Sequence, residues 1–355
     1  MASEHRSYFS SGTTALYAAL VSLGIKRSFV AVPPNICPNI IVAIFASSNR
    51  PYFVEIEFER FGISPYHLES AINKVSAVIA VHAYGIPCLI DKLAALSKKH
   101  GIPLIEDCAQ AEGATYGGRQ VGVFGDVAIF SYGVGKILAL NGGGGMAITR
   151  RRDVAHRLQG VQERLPIAEK MEGTVELSRF FKFLYNQCYP DQLALYRAAA
   201  ARFFRSVGKS MLAAHRPGLG QEIKSAQSCL PAKIASRRKN AEIYSHELSG
   251  QPEIKVCLFP EGAVPWRFNL RLEHTLRQQV LRTLLSEGFN VSSWYPDMRR
   301  FLDKPSYASG PAPHAVDLDE TILNFWLDDG TTENDITITT RRLKQAVHDF
   351  DKQSN

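Results

Sequence analysis

The sequence PLIEDCAQAEGA at residues 103–114 is followed by VAIFSYGVGK at residues 127–136. Each stretch begins with a short apolar run and ends in polar and glycine residues, a pattern typical of a buried strand that leads into a loop. The predicted strands Pro103–Glu106 and Val127–Ser131 place Asp107, Ser131 and Lys136 at or beyond their carboxyl ends. Ligands of parallel sheets bind at that edge, so the two stretches predict a ligand site there.

The same alternation of apolar runs and helix-length amphipathic segments extends from residue 29 to residue 149. Four further strands are predicted in this part of the chain: Phe29–Val32, Tyr52–Ile56, Ala77–Val81 and Met146–Thr149. Four helices are predicted with them: Thr14–Leu23, Asn39–Ser48, Pro65–Asn73 and Ile90–Lys99. Strands that alternate with helices form a mostly parallel central sheet flanked by helices, so the predicted class is α/β.

After Arg150 the pattern becomes helical and rich in loops, and it then changes to an α+β pattern near the C-terminus. The C-terminal elements predicted are a strand at Val264–Leu272, a helix at Thr275–Glu287, a strand through Val291 and a final helix at Asp335–Phe350. We therefore expect a large domain at residues 1–239 and a small α+β domain at residues 240–355.

The composition of the 355 residues is that of an ordinary globular protein, with 45% hydrophobic and 21% charged residues. The first residues lack a basic start followed by an apolar stretch, and no later run reaches the roughly 18 apolar residues of a membrane-spanning helix. We expect a cytoplasmic protein. The six cysteines stand singly, without a CxxC pair, which predicts reduced thiols and no metal site.

The formal net charge of +7 is compatible with several anionic partners, namely nucleic acid, a membrane surface or an anionic small molecule. The chain carries no nucleic-acid-binding motif, so we expect no nucleic acid as a partner. A nucleotide-linked substrate also fits a positive surface. The segment Leu177–Val207, rich in aromatic residues and arginine, is compatible with peripheral membrane contact or with packing against a partner subunit or the core.

Three features of the predicted site match what pyridoxal 5'-phosphate (PLP) requires. Lys136, within a glycine-rich turn, offers an amine for the aldehyde, although a solvated loop lysine would look similar. Asp107 offers a carboxylate for the ring nitrogen, although it could equally cap a helix. Gly12 and Thr13 precede a helical run, and with Ser131 they offer backbone N–H groups and hydroxyls for a phosphate, although a plain capping motif would share this pattern.

In this order of motifs the sequence resembles the DegT/DnrJ/EryC1/StrS family of PLP-dependent sugar aminotransferases, which have the fold of PLP-dependent transferases of type I. The motifs that carry the resemblance are SGTTAL, VPPN, RPYFVEIE, VHAYG, IPLIEDCAQAEGA, GDVAIFSYGVGK and GGGGMAIT between residues 11 and 149. The similarity continues more weakly through SRRKNAEIY at residues 236–244 and GFNVSSWYP at residues 288–296.

The resemblance implies roles for individual residues of this chain. It assigns Lys136 to the cofactor aldehyde, Asp107 to the pyridine nitrogen and Gln110 to the ring near its hydroxyl group. It places Gly12, Thr13 and Ser131 around the phosphate. Sugar dehydratases of the same fold carry histidine where this chain has Lys136, so the lysine favours transamination.

Other positions depart from the family pattern or allow two interpretations. Cys37 stands where the family has an aromatic residue that stacks on the cofactor, and Glu112 stands where it has a histidine. Trp294 and Tyr295 fall where the family places substrate-facing residues, but an aromatic pair after a strand can also belong to the core. His82 is interpreted as a structural residue.

The function implied by the resemblance is amino transfer, from glutamate as the amino donor, to a nucleotide-linked keto-sugar in aminosugar or surface-polysaccharide biosynthesis. The family also implies a homodimer. Two alternatives remain open from the sequence: a PLP-dependent sugar dehydratase or epimerase, and a non-catalytic family member with a regulatory or scaffold role.

Overall fold

The computed structural model describes residues 4–167, 204 and 212–354. Its main sheet has eight strands in the order β1-β9-β8-β5-β4-β2-β3-β13. These strands are β1 (His5–Phe9), β2 (Phe29–Val32), β3 (Arg50–Phe53), β4 (Ala77–Val81), β5 (Leu104–Asp107), β8 (Val127–Ser131), β9 (Gly145–Thr149) and β13 (Ala308–Ser309). A separate short hairpin consists of β6 (Thr115–Tyr116) and β7 (Arg119–Gln120).

The main sheet is parallel from β8 through β5, β4, β2 and β3 to β13, and antiparallel only where β9 pairs with β8 and β1. The predicted mostly parallel α/β sheet is therefore confirmed. The register aligns Val81 with Asp107 and Asp107 with Ile129, which brings the carboxyl ends of β4, β5 and β8 to one edge.

Helices cover this sheet, and their ends follow local sequence signals. Among the described residues up to 227, the helices are α1 (Gly12–Ser22), α2 (Pro38–Ala46), α3 (Pro65–Ala71), α4 (Ile90–His100), α5 (Arg152–Arg164) and α6 (Leu219–Gln227). Ser11 caps α1 through its side chain, which accepts the Thr14 N–H at 3.1 Å. Gly101 ends α4 at φ 66°, a left-handed conformation that glycine adopts without strain.

The second sheet has four antiparallel strands in the order β10-β11-β14-β12. They are β10 (Lys255–Val256), β11 (Arg267–Arg271), β12 (Val291–Ser292) and β14 (Ile322–Trp326). The accompanying helices are α7 (Leu230–Glu247), α8 (His274–Ser286), α9 (Pro313–Thr321) and α10 (Glu333–Ser354). This sheet and its helices form the α+β part of the molecule.

Several strand limits differ from the predictions for physical reasons. The strand predicted at Val264–Leu272 forms the sheet only over Arg267–Arg271, because the backbone N–H groups of Val264 and Trp266 donate to Gly85 and Tyr84 in the other part of the molecule. The strand predicted at Tyr52–Ile56 is Arg50–Phe53, since its pairing with β2 begins at Arg50. The unpredicted strand β1 depends on antiparallel pairing with β9.

The buried side chains of the described residues form three clusters, and their membership does not divide the chain at one position. Helix α7 contributes Ala241 and Tyr244 to the cluster of the second sheet, while its Leu230 and Ile234 pack on the cluster of the main sheet. Residues between 294 and 322, Tyr295 among them, also pack in the main cluster. The division at residue 239 remains a prediction.

The predicted aromatic and arginine-rich segment Leu177–Val207 lies outside the described residues, except for Phe204. Among residues 4–167 and 212–354, none of the helices combines the length and the apolar character needed to span a bilayer.

Candidate active site

A cavity of about 270 Å³ opens at the carboxyl edge of the main sheet. It is lined by every residue that the sequence assigned to the cofactor: Gly12, Thr13, Cys37, Asp107, Gln110, Ser131 and Lys136. The strands β5 and β8 end at Asp107 and Ser131, and α1 begins at Gly12. The fold thus brings together residues that are up to 124 positions apart in the chain.

The start of α1 reaches this edge because two glycines allow a close approach of backbones. A Cβ atom at Gly12 would lie 2.7 Å from Cβ of Ser131, and one at Gly145 would lie 2.1 Å from the carbonyl oxygen of Ser11. Both distances are shorter than real contacts allow. The start of α1, with Gly12 and Thr13, therefore lines the cavity, where a helix N-terminus favours an anion.

Lys136 lies on a turn that the second sheet helps to hold. Its N–H donates to the carbonyl of Gly133 at 3.2 Å, and the carbonyl of Gly135 accepts the indole N–H of Trp266 at 2.7 Å. The Lys136 Nζ atom is 5.7 Å from the centroid of the Trp266 ring. Burial lowers the pKa of Lys136, and the Arg267 guanidinium lowers it further, against opposing effects of Cys37 and Asp107. A lowered pKa makes the neutral amine more accessible.

Asp107 is 6% exposed, and its Oδ1 accepts the N–H of Ala109 at 2.9 Å. Burial raises the pKa of Asp107, while the Ala109 N–H and the positive charges of Lys136 and His82 oppose this effect. A cationic partner in the cavity would stabilise the ionised form of this buried carboxylate. A protonated ring nitrogen would supply such a partner.

Gln110 is held at both ends of its carboxamide. Its Oε1 accepts the backbone N–H of Tyr84 at 2.8 Å, and its Nε2 donates to the hydroxyl of Tyr295 at 2.9 Å. Neither Tyr84 nor Tyr295 was assigned to Gln110 from the sequence. The VHAYG motif contains Tyr84, but the contact itself links residues far apart in the chain.

Cys37 and Asn39 complete the wall where the family pattern has an aromatic residue. Burial raises the pKa of the Cys37 thiol, so at neutral pH it is a small apolar group with a weak S–H donor. The Oδ1 atom of Asn39 is buried and has no hydrogen-bond donor among the described residues. An unsatisfied polar atom on a cavity wall indicates that the cavity accommodates a polar ligand. Sequence analysis did not identify Asn39.

These groups fit PLP in kind and position. The start of α1 and the hydroxyls of Thr13 and Ser131 suit the phosphate, Asp107 suits the ring nitrogen, and Lys136 suits the aldehyde. All of them line one cavity, as a single small molecule requires.

Trp294 and Tyr295 do not line the cavity, whereas Gln110 does. The two aromatic residues are 7% and 3% exposed. The Tyr295 ring stacks on Trp266 with centroids 6.0 Å apart. The substrate role of this pair remains a prediction, while the observed contacts place the Tyr295 hydroxyl behind the cavity wall.

His82 lies in a fully buried cluster with Glu106 and Cys108, whose potential ligand atoms lie within 4.8 Å of one another. The fold therefore brings cysteine close to histidine, which the spacing in the sequence does not show. The His82 Nδ1 accepts the N–H of Cys88 at 3.2 Å, and its Nε2 lies 3.3 Å from Glu106. These contacts already engage both ring nitrogens.

The carboxylate of Glu106 is likewise fully engaged. Its two oxygens accept the backbone N–H groups of Gly122, Phe124 and Gly125 at 2.6–2.7 Å. Burial alone would raise the pKa of Glu106, but the hydrogen bonds from His82 and from this loop outweigh it and hold the pKa below its ordinary value. The cluster therefore anchors the loop before β8 and supports the interpretation of His82 as structural.

The fold is that of PLP-dependent aminotransferases of type I. The structure of the aminotransferase TlmJ from Streptoalloteichus hindustanus matches with a TM-score of 0.76 and 21% identity, covering 98% of this chain and 86% of that one. The structure of NtdA from Bacillus subtilis with bound cofactor PMP matches with a TM-score of 0.70 and 18% identity, covering 97% and 73%.

Residues 2–164 match the model of the DegT/DnrJ/EryC1/StrS aminotransferase family. The protein MosB from Rhizobium meliloti is 39% identical over 160 residues, which are 43% of this chain and 30% of that protein. GDP-perosamine synthase from Vibrio cholerae is 31% identical over 251 residues, 70% of this chain and 59% of that protein. The chain thus spans less than two thirds of these relatives.

Proposed function

We propose that this chain is a PLP-dependent aminotransferase that moves an amino group from glutamate to a nucleotide-linked keto-sugar, in aminosugar or surface-polysaccharide biosynthesis. The observation that carries the proposal is that Asp107, Lys136 and the start of α1 line one cavity. The relative named GDP-perosamine synthase supports a nucleotide-linked sugar. The proposal includes a homodimer, as the family resemblance implies, and a cytoplasmic location.

When bound, PLP supplies an aldehyde that reacts with amines and a ring that accepts electrons from the adjacent carbon. The start of α1, with Thr13 and Ser131, holds the phosphate end and so orients the ring in the cavity. The Asp107 carboxylate holds a proton on the ring nitrogen. Lys136 would hold the aldehyde end of the cofactor, and its Nζ atom would act as the base that takes up and returns a proton during amino transfer.

The first test concerns the covalent anchor. Wild-type protein mixed with PLP should develop visible absorbance, and borohydride reduction should leave a stable adduct that peptide mass analysis places on Lys136. Lys136→Ala should abolish the band and the adduct, because no other lysine lines the cavity in the part of the chain that the structure describes. Lys99→Ala is the matched control, since Lys99 is exposed and pairs with Glu69 on the surface. An adduct on a different lysine would contradict the assignment.

The second test concerns the reaction. Incubation with glutamate and a panel of nucleotide-linked keto-sugars should yield 2-oxoglutarate and an aminosugar in equal amounts. A deoxy-sugar or an epimer formed without 2-oxoglutarate would point to the dehydratase or epimerase alternative. Covalent PLP binding without turnover of any donor would favour the non-catalytic alternative.

A further inference from the structure

The orientation of the Gln110 carboxamide is determined by its neighbours. The Tyr84 backbone N–H can only donate, so the atom that faces it at 2.8 Å must be the oxygen of Gln110. The other end is then the NH₂ group, and one of its hydrogens is used on the Tyr295 hydroxyl at 2.9 Å. Among the described residues Nε2 makes this one hydrogen bond, and Gln110 lines the cavity, so its second hydrogen is available to a ligand there.

The Tyr295 hydroxyl affects two residues of the cavity wall. It accepts the Nε2–H of Gln110 at 2.9 Å, and it opposes the rise in pKa that burial causes at the Cys37 thiol. The hydroxyl thereby determines where the carboxamide of Gln110 stands relative to a ligand.

Tyr295 itself is held firmly by both parts of the molecule. Its ring stacks on Tyr84 and on Trp266, with centroid separations of 6.0 Å in each case. The Tyr84 hydroxyl accepts the Tyr295 N–H at 2.8 Å and donates to the Trp294 carbonyl at 2.6 Å. Asn324 of β14 accepts the Trp294 N–H at 2.6 Å through its Oδ1. The hydroxyl of Tyr295 therefore has one well-defined position.

We infer that Tyr295 is a positioning residue, whose hydroxyl orients the Gln110 carboxamide so that its second N–H donates to the ring oxygen of the cofactor. The inference rests on the proposed function, since it concerns the same cavity and the same cofactor. Tyr295 does not touch the ligand and acts through Gln110. Tyr295, which the sequence resemblance assigned to the substrate, thus acts on the cofactor through Gln110.

The test uses Tyr295→Phe, which keeps the ring and removes the hydroxyl. We expect the affinity of the apoprotein for PLP to fall about fivefold to tenfold, because one buried hydrogen bond that orients Gln110 is lost. The pH midpoint of the visible band of the bound cofactor should rise, because the ring oxygen loses its donor and its negative form becomes less stable. A residue that served stability alone would leave this midpoint unchanged.

A double-mutant cycle with Gln110→Ala decides whether Tyr295 acts through Gln110. In the Gln110→Ala background, Tyr295→Phe should change neither the PLP affinity nor the midpoint. Additive effects of the two substitutions would overturn the inference, as would wild-type values for Tyr295→Phe alone.

Tyr244→Phe is the matched control. Tyr244 is also buried and stacked, with its ring 4.7 Å from Phe268 in the second sheet, and its loss should leave PLP affinity unchanged. If Tyr295→Phe does not fold, as judged by circular dichroism, Tyr84→Phe takes its place, because it loosens Tyr295 without removing a group from Gln110. The effect of Tyr84→Phe on PLP affinity must also disappear in the Gln110→Ala background. If the wild type does not bind PLP, that result contradicts the proposed function instead.

Discussion

At the scale of single residues, burial acts in opposite directions on the two ionisable groups that define the site. Loss of water raises the pKa of Asp107 and lowers the pKa of Lys136. The neutral form of each group is therefore favoured more strongly in the cavity than it would be in water. A cofactor with a cationic ring nitrogen and an aldehyde complements both groups. The same desolvation acts on Glu112, which lies outside the cavity wall.

Glu112 should make the stability of the protein depend on pH. It is 7% exposed, and burial raises its pKa from 4.5 to about 7, against hydrogen bonds from Gln227 and Tyr132. The folded state therefore holds a proton more tightly than the unfolded chain does. This contribution is present below about pH 4.5 and is lost as the pH rises through 7.

We predict that Glu112→Gln removes this dependence. Between pH 5 and pH 8 the free energy of unfolding of the wild type should fall relative to that of the variant, by up to about 3 kcal/mol. Urea denaturation at a series of pH values measures the difference. Parallel curves for the two proteins would show that Glu112 titrates normally.

At the scale of elements, the decisive contact is the one between the start of α1 and the ends of β8 and β9. Two glycines permit it, since side chains at Gly12 and Gly145 would collide with Ser131 and with the backbone of Ser11. The contact positions the N–H groups of the helix at the cavity. The proposed phosphate part of the site therefore depends on how closely this helix packs on the sheet.

Gly145→Ala should push the start of α1 away from β9. The added methyl group would meet a backbone oxygen at 2.1 Å, so we expect a loss of about 1–3 kcal/mol in the free energy of unfolding together with weaker PLP binding. Gly310→Ala is the control, because a Cβ atom there has nothing within 4 Å. Unchanged PLP affinity in Gly145→Ala would show that the close approach is not needed for the phosphate.

At the scale of the whole molecule, contacts between the main sheet and the segments that flank the strands of the second sheet complete the site. Trp266 holds the Lys136 turn, and Tyr295 holds Gln110. A further link comes from Glu55, a 1% exposed carboxylate that accepts the N–H groups of His314 and Ala315 at the start of α9. These links suggest that both parts unfold together.

We predict a single calorimetric transition for the wild type, and for Glu55→Gln a loss of about 1–3 kcal/mol, because buried N–H groups of α9 lose a charged acceptor. Glu69→Gln should change stability by less than about 1 kcal/mol, since its pair with Lys99 is exposed. Two separate transitions in the wild type would contradict the coupling.

The sequence by itself determined the α/β pattern and the assignment of Asp107, Ser131 and Lys136 to one edge of the sheet, because each follows a strand whose apolar run is visible locally. The tertiary structure alone revealed Tyr84, Trp266 and the contact between Tyr295 and Gln110. Their contacts join residues as many as 211 positions apart, and local sequence patterns do not reveal such distant pairs. Such partners depend on how the second sheet packs against the first.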